Sequence, residues 1–285
     1  MQARRRKQTH TETLHAGGGA ALVQLDPDHP GFSDKIYRQR RNAIARQAFE
    51  YSEGNPVPDA EYIAQEHGVW REAWRHLTPL HERYACREYL ESRGVLRLPT
   101  DRIPQLREVN DKIQPVLGFR MLPVAGLVEA SVFLRYLGGR VFLSTQYIRH
   151  HSRPLYTPEP DIVHELVGHA ATFTNKALVD LNVAFGEAAS RTEDPELLAR
   201  IGRLYWFTLE FGVVREGQDL RVLGAGLLSS FGELGRFRTG SELRRFTAEA
   251  AAAQPYDPTG YQDVLFVADS FSAMSDASMA WLARV

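Results

Sequence analysis

The chain has 285 residues, a formal net charge of −1, 44% hydrophobic and 24% charged residues. Near-neutral charge gives no reason to expect a nucleic-acid or anionic-membrane partner, and no apolar run is long enough to span a bilayer. The single cysteine, Cys86, excludes an internal disulfide and fits a reducing compartment, so a cytoplasmic protein is expected.

Residues 1–24 open with Arg4-Arg5-Arg6-Lys7 and contain Gly17-Gly18-Gly19 without an apolar stretch, so a flexible tail is expected rather than a secretory signal. Residues 25–285 carry no internal linker or repeat and are expected to form one domain. Leu25–Phe32 is turn-rich. Ser33 reads as the N-cap of a helix reaching about Tyr51. Asp59 opens a helical stretch through Trp70, Trp74 and Leu77 that Pro79 should interrupt. A further helix through Tyr89 should end near Gly94. Ile103 begins another, reaching about Val116. Residues 119–126 and 140–143 read as short strands, with a short helix at 130–137 between them. Helices follow over 161–173, 176–189 and from Asp194 to about Val213. Residues 222–230 form a glycine-bearing loop, and 241–253 and 270–282 close the chain as helices. The fold class is mostly α with a few short β-strands (α+β).

Chemistry concentrates between Arg149 and His169, which hold four of the ten histidines. His164 and His169 lie five apart, with Glu165 after the first. Zinc peptidases space their histidines by four, about 40° apart on a helix, whereas a spacing of five places them about 140° apart. The two imidazoles converge on a metal if the helix widens into a π-turn or ends near Gly168; otherwise they are surface or core residues. Glu210, inside the apolar run Leu209–Phe211, is a third anchor or else a salt-bridge partner of an arginine such as Arg215. Two histidines and one carboxylate leave coordination positions open, which suits ferrous iron.

These stretches, taken with LDPDHPGF (25–32), YRQRR (37–41), IPQL (103–106), PVAGL (123–127), TQYIRH (145–150), YTPEPDIVHELVGH (156–169), YWFTLEFG (205–212) and GAGLLSSFGEL (224–234), resemble the catalytic domain of the pterin-dependent aromatic amino acid hydroxylases. The resemblance implies an enzyme using Fe(II), dioxygen and a tetrahydropterin to hydroxylate the ring of a free amino acid. It implies His164, His169 and Glu210 as iron ligands and Arg149 as the grip on the substrate carboxylate. Thr157, Pro160, Trp206, Gly226 and Ser229 would line the substrate pocket. Gly126, Leu127, Val128 and Ala130 would bind the pterin edge, Phe133 would stack on its ring, and Glu165 would be a catalytic residue that faces the pterin and helps position it for oxygen activation. Leu143 departs from the family, where many members carry a histidine. Trp206 and Leu127 match phenylalanine- and tyrosine-type members, and Pro258 stands where tyrosine hydroxylases favour aspartate. Phenylalanine is therefore the expected substrate, with tyrosine, tryptophan or meta-hydroxylation as alternatives. A metal-dependent hydrolase using Glu165 as base is the alternative of another class. The resemblance also pairs Glu159 with Arg41. It implies a monomer, because the family's regulatory domain and tetramerisation helix have no counterpart in the sequence.

Overall fold

The computed structural model describes residues 25–258 and 260–285, so the expected tail at 1–24 lies outside the described residues. Helix α1 spans Lys35–Glu50 and is capped by Asp34, not Ser33. The Asp34 carboxylate accepts from Ile36 N and Tyr37 N at 2.9 and 3.0 Å, satisfying two backbone donors that a helix start leaves open. Helix α2 (Ala64–Tyr84) begins five residues later than expected. Residues before it are extended because the Gln105 amide pairs with both the N–H and the carbonyl of Ala60. Pro79 does not interrupt α2. It lies on the exposed face, where the carbonyl it leaves unpaired can meet water.

Helix α3 (Arg87–Leu96) runs past Gly94 and stops at Arg97, which takes a left-handed conformation with φ of 46°. Lys112 Nζ satisfies the final carbonyls of Leu96 and Arg97 at 3.1 and 2.8 Å. Helix α4 (Leu106–Leu117) ends on Gly118, whose φ of 77° favours glycine. The expected strands form a parallel pair, β1 (Arg120–Pro123) with β2 (Val141–Ser144), joined through α5 (Ala130–Gly138).

Beyond β2, Thr145–His150 is fully buried and leads to the histidine segment. Helix α6 (Lys176–Ser190) packs on α5 at two glycines: a Cβ on Gly186 would lie only 1.9 Å from Gly138 N. Helix α7 (Pro195–Tyr205) continues as a π-turn to Glu210 and stops there, short of the expected Val213. Val213 instead starts strand β3 (Val213–Glu216), which pairs with β4 (Asp219–Val222) across a turn at Gly217. The loop expected at 222–230 contains a short helix, α8 (Ala225–Ser229), followed by α9 (Phe231–Leu234).

The helix expected over 241–253 is split into strand β5 (Glu242–Arg245) and helix α10 (Ala248–Ala253). Residues 242–245 are drawn into a sheet by β6 (Val264–Ala268), which pairs in parallel with both β5 and β3. Neighbouring strands satisfy their backbone groups, and this outweighs local propensity. Helix α11 (Phe271–Leu282) closes the chain, capped by Ser270. The strand order β4-β3-β6-β5 and the helices share one large apolar core, giving a mostly α architecture with short strands. Among the described residues, no helix is long and apolar enough to cross a membrane.

Candidate metal centre and flanking cavities

His164–His169 form a π-helix, and a 3-10 turn follows over Ala170–Thr174. Wider winding brings positions five apart onto one face, so the two imidazoles meet. Their Nε2 atoms lie 3.1 Å apart. A second π-turn, Trp206–Glu210, presents Glu210 to the same point. Its carboxylate lies 2.9 Å from His169 Nε2 and 3.7 Å from His164 Nε2. Donor atoms roughly 3 Å apart match adjacent positions around one transition metal with bonds of about 2.1 Å. The expected alternative, a Glu210 salt bridge to Arg215, is replaced by contact with the histidines.

The protonation states suit a metal. Burial lowers His164 to about 4, which keeps its imidazole neutral. Ser229 Oγ donates to Ala225 O at 2.8 Å, so its lone pair accepts from His164 Nδ1–H at 2.9 Å. That fixes the tautomer with the Nε2 lone pair facing Glu210. Burial opposes ionisation of Glu210, yet His169 first and then His164 hold its carboxyl below the ordinary range. Close backbone packing sustains the arrangement. A Cβ on Gly168 would come within 2.8 Å of Ala225 O, so glycine lets α8 approach the histidine helix.

Two cavities share His164 and Glu210 of the donor cluster as a wall, and His169 lines the smaller of them. The smaller, about 190 Å³, is lined by Gly126, Leu127, Val128, Ala130, Phe133, Leu143 and Glu165, among others. The larger, about 560 Å³, is lined by Arg149, Thr157, Gly226, Ser229, Glu233 and Pro258, among others. Leu127, Pro160, His164, Trp206 and Glu210 border both. All residues expected at the site thus converge on one region.

Several of them have committed contacts that the sequence did not reveal. Arg149 is buried, and its Nε and Nη2 engage the Asp161 carboxylate at 2.8 and 2.7 Å. One edge of the expected bidentate grip is therefore already taken. Asp161 also accepts from Arg149 N and His164 N, so one carboxylate ties the arginine to the metal helix. Burial works against the Asp161 charge, but Arg149 holds its carboxyl below the usual range. Glu165 Oε1 accepts from both Thr145 N and Thr145 Oγ1, at 3.0 and 2.9 Å. Burial still pushes its carboxyl up to about 7. Thr157 turns its hydroxyl to Glu159 O at 2.8 Å. Trp206 stacks on Tyr256 with ring centroids 4.0 Å apart and donates to Gln262 Oε1 at 2.9 Å. Gln262 in turn donates to the carbonyls of Asp257 and Gly260, shaping the loop beside Pro258. Thr145 and Asp161 lie inside the motif stretches, but Tyr256 and Gln262 carried no signal.

The sequence model described as biopterin-dependent aromatic amino acid hydroxylase matches residues 16–285. The chain belongs to that family. Among curated hydroxylases, it is 43% identical over 266 residues to tyrosine 3-monooxygenase of Bos taurus, covering 92% of this chain and 54% of that protein. It is 40% identical over 268 residues to phenylalanine-4-hydroxylase of Rattus norvegicus, covering 92% and 59%. The chain thus spans somewhat over half the length of these relatives. Among solved hydroxylase structures, Chromobacterium violaceum phenylalanine hydroxylase with bound iron(III) and 7,8-dihydrobiopterin superposes with a TM-score of 0.78 at 28% identity, covering 91% of this chain and 92% of that one.

Proposed function

We propose that the protein is a monooxygenase that hydroxylates the ring of free L-phenylalanine to L-tyrosine, using Fe(II), dioxygen and a tetrahydropterin. The observation that carries this reading is the shared wall: one cluster of three donors flanked by two separate cavities, so that two organic reactants can approach a single metal from different sides. His164, His169 and Glu210 would hold the iron. Bound iron with reduced pterin supplies the activation of dioxygen.

The remaining residues bind and orient. In the smaller cavity, the Gly126–Ala130 backbone and the Phe133 ring offer an edge and a face for a flat pterin. Edge-to-face contacts with Phe142 and Tyr205, at 5.3 and 5.6 Å, hold that ring in place. Glu165, fixed by Thr145, faces the same space. In the larger cavity, Arg149 offers the carboxylate of an amino acid the side of its guanidinium that Asp161 leaves open; Nη1 has no hydrogen bond among the described residues. The tie of Glu165 to Thr145 also disfavours the hydrolase alternative, in which this carboxylate would have to activate a water.

Leu127, Pro160, Trp206, Phe211 and Pro258 give much of the larger cavity an apolar lining, which favours an unsubstituted ring. Tyrosine is the second reading, supported by the 43% identity to a tyrosine 3-monooxygenase, because an apolar wall rejects an added hydroxyl only weakly, by roughly 100-fold. The test is product analysis by chromatography. Iron-loaded protein is given phenylalanine or tyrosine with tetrahydropterin, with and without oxygen. Oxygen-dependent tyrosine from phenylalanine is expected. Product formed anaerobically, or meta-hydroxylation as the dominant outcome, would refute the reading.

A further inference from the structure

A second group of metal-binding side chains lies outside the site described above: Asp34, His150 and His151, whose ligand atoms all fall within 4.8 Å of one another. Asp34 is the cap of α1. Its Oδ1 is committed to Ile36 N and Tyr37 N, which aims the carboxylate and leaves Oδ2. His150 Nε2 lies 3.2 Å from that oxygen. This contact alone would be an ion pair, with Nε2–H donating to Asp34. The spacing also equals that of two ligands on one tetrahedral ion, for which bonds of about 2.0 to 2.1 Å place donors roughly 3.3 Å apart.

His151 goes beyond an ion pair. Its ring lies against that of His150, with centroids 4.2 Å apart, and it is exposed. Among the described residues, neither of its ring nitrogens has a hydrogen-bond partner. On the far side of His150, Nδ1 lies 2.8 Å from Ser152 Oγ and accepts from Ser152 N–H at 3.3 Å; a metal on Nε2 moves the ring proton to Nδ1, which then donates to Ser152 Oγ in place of that backbone contact. Metal-bound histidines commonly have such an outer partner.

We propose that Asp34, His150 and His151 form a second site for a divalent cation of the zinc class, with solvent completing its coordination. Two imidazoles and one carboxylate are nitrogen-rich for calcium or magnesium, and a four-coordinate ion needs no further protein ligand. The site bridges the start of α1 to the residue that follows Arg149. Its occupant therefore ties the first helix to the segment holding the arginine of the larger cavity.

The experiment uses iron-loaded protein and zinc alone. Zinc affinity is read by competition with a chromophoric chelator, and metal content by mass spectrometry after dialysis. One zinc per chain should bind while iron is retained, with a rise in Tm. His151→Ala removes a ring that makes no hydrogen bond among the described residues, and Asp34→Asn keeps the oxygen that caps α1. Each should weaken zinc at least tenfold and leave iron content unchanged. The zinc equivalent should persist in His169→Ala, where the iron centre is broken. Zinc uptake matched by iron loss, or an affinity that either substitution leaves as in the parent protein, overturns the assignment. Neither readout depends on hydroxylation, so its failure is distinguishable from failure of the proposed activity.

Discussion

Glu159 stands between Pro158 and Pro160, directly before the segment that bears both histidines, and it meets Arg41 of α1 at 2.7 Å. Arg41 has a side chain 2% exposed, while Glu159 retains 18%. The contact uses one guanidinium nitrogen rather than a fork: Arg41 Nε and Nη2 have no hydrogen-bond partner among the described residues. The guanidinium also lies 3.6 Å from the centroid of the Tyr147 ring. Unit charges roughly 4 Å apart attract by about 4 kcal/mol at an effective dielectric near 20. Losing one partner of a shielded pair typically costs about 3–5 kcal/mol, because the other charge remains desolvated. Partial exposure of Glu159 places the expected cost of Glu159→Gln at the lower end, about 3 kcal/mol. Arg41→Met should cost a similar amount, and the double variant little more than either. Urea unfolding of all four proteins at neutral pH gives the coupling energy, expected to be about 2 kcal/mol or more. Because Pro160 and Asp161 lead straight into the ligand helix, Glu159→Lys should also lower iron retention, although Glu159 lies outside the donor cluster. Additive effects within about 0.5 kcal/mol would refute the reasoning.

Asp161→Asn removes the charge that clamps Arg149. KM for the amino acid should rise and thermal stability should fall, read by steady-state kinetics and calorimetry; unchanged KM would mean that Arg149 is held without it. Ser229→Ala deletes the acceptor of His164 Nδ1–H. Iron affinity measured against a chelator should drop roughly 10- to 100-fold, the usual effect of losing an outer partner of a ligand. His81 reports on pH. Its Nε2–H donates to Leu228 O at 2.7 Å, its Nδ1 accepts from Arg93 at 3.0 Å, and burial lowers it to about 4. The unfolded chain protonates this imidazole near pH 6.5 and the folded one only near 4. Its contribution is therefore intact above 6.5 and is lost as pH falls toward 4. About 2.5 kcal/mol should disappear between pH 7 and 4.5, and His81→Gln should flatten that slope in urea unfolding; an equal slope in both proteins would contradict it.

Composition and local pattern sufficed for the mostly helical fold class and for the three donors that the fold brings together. Helix-period stretches such as Trp70–Leu77 declare themselves because one face repeats every turn. The histidine spacing of five was informative for the same reason: it was wrong for a regular helix and right for a π-turn. What escaped local reading depended on partners distant in the chain. Glu242–Arg245 has no strand alternation of its own and becomes β5 because β6, some twenty residues later, satisfies its backbone. Residues before α2 stay extended because Gln105 holds Ala60. Ser229 looked like a pocket wall, yet its hydroxyl orients His164 from 65 residues away. Asp161 was legible as the start of a helix but not as the clamp on Arg149. Asp34 and His150 are 116 residues apart, and only folding brings α1 against the segment that places His150 beside His151. Sequence fixes which donors exist and the local twist that aims them, whereas contact across the chain decides which lone pairs are spent and which remain free for a metal or substrate.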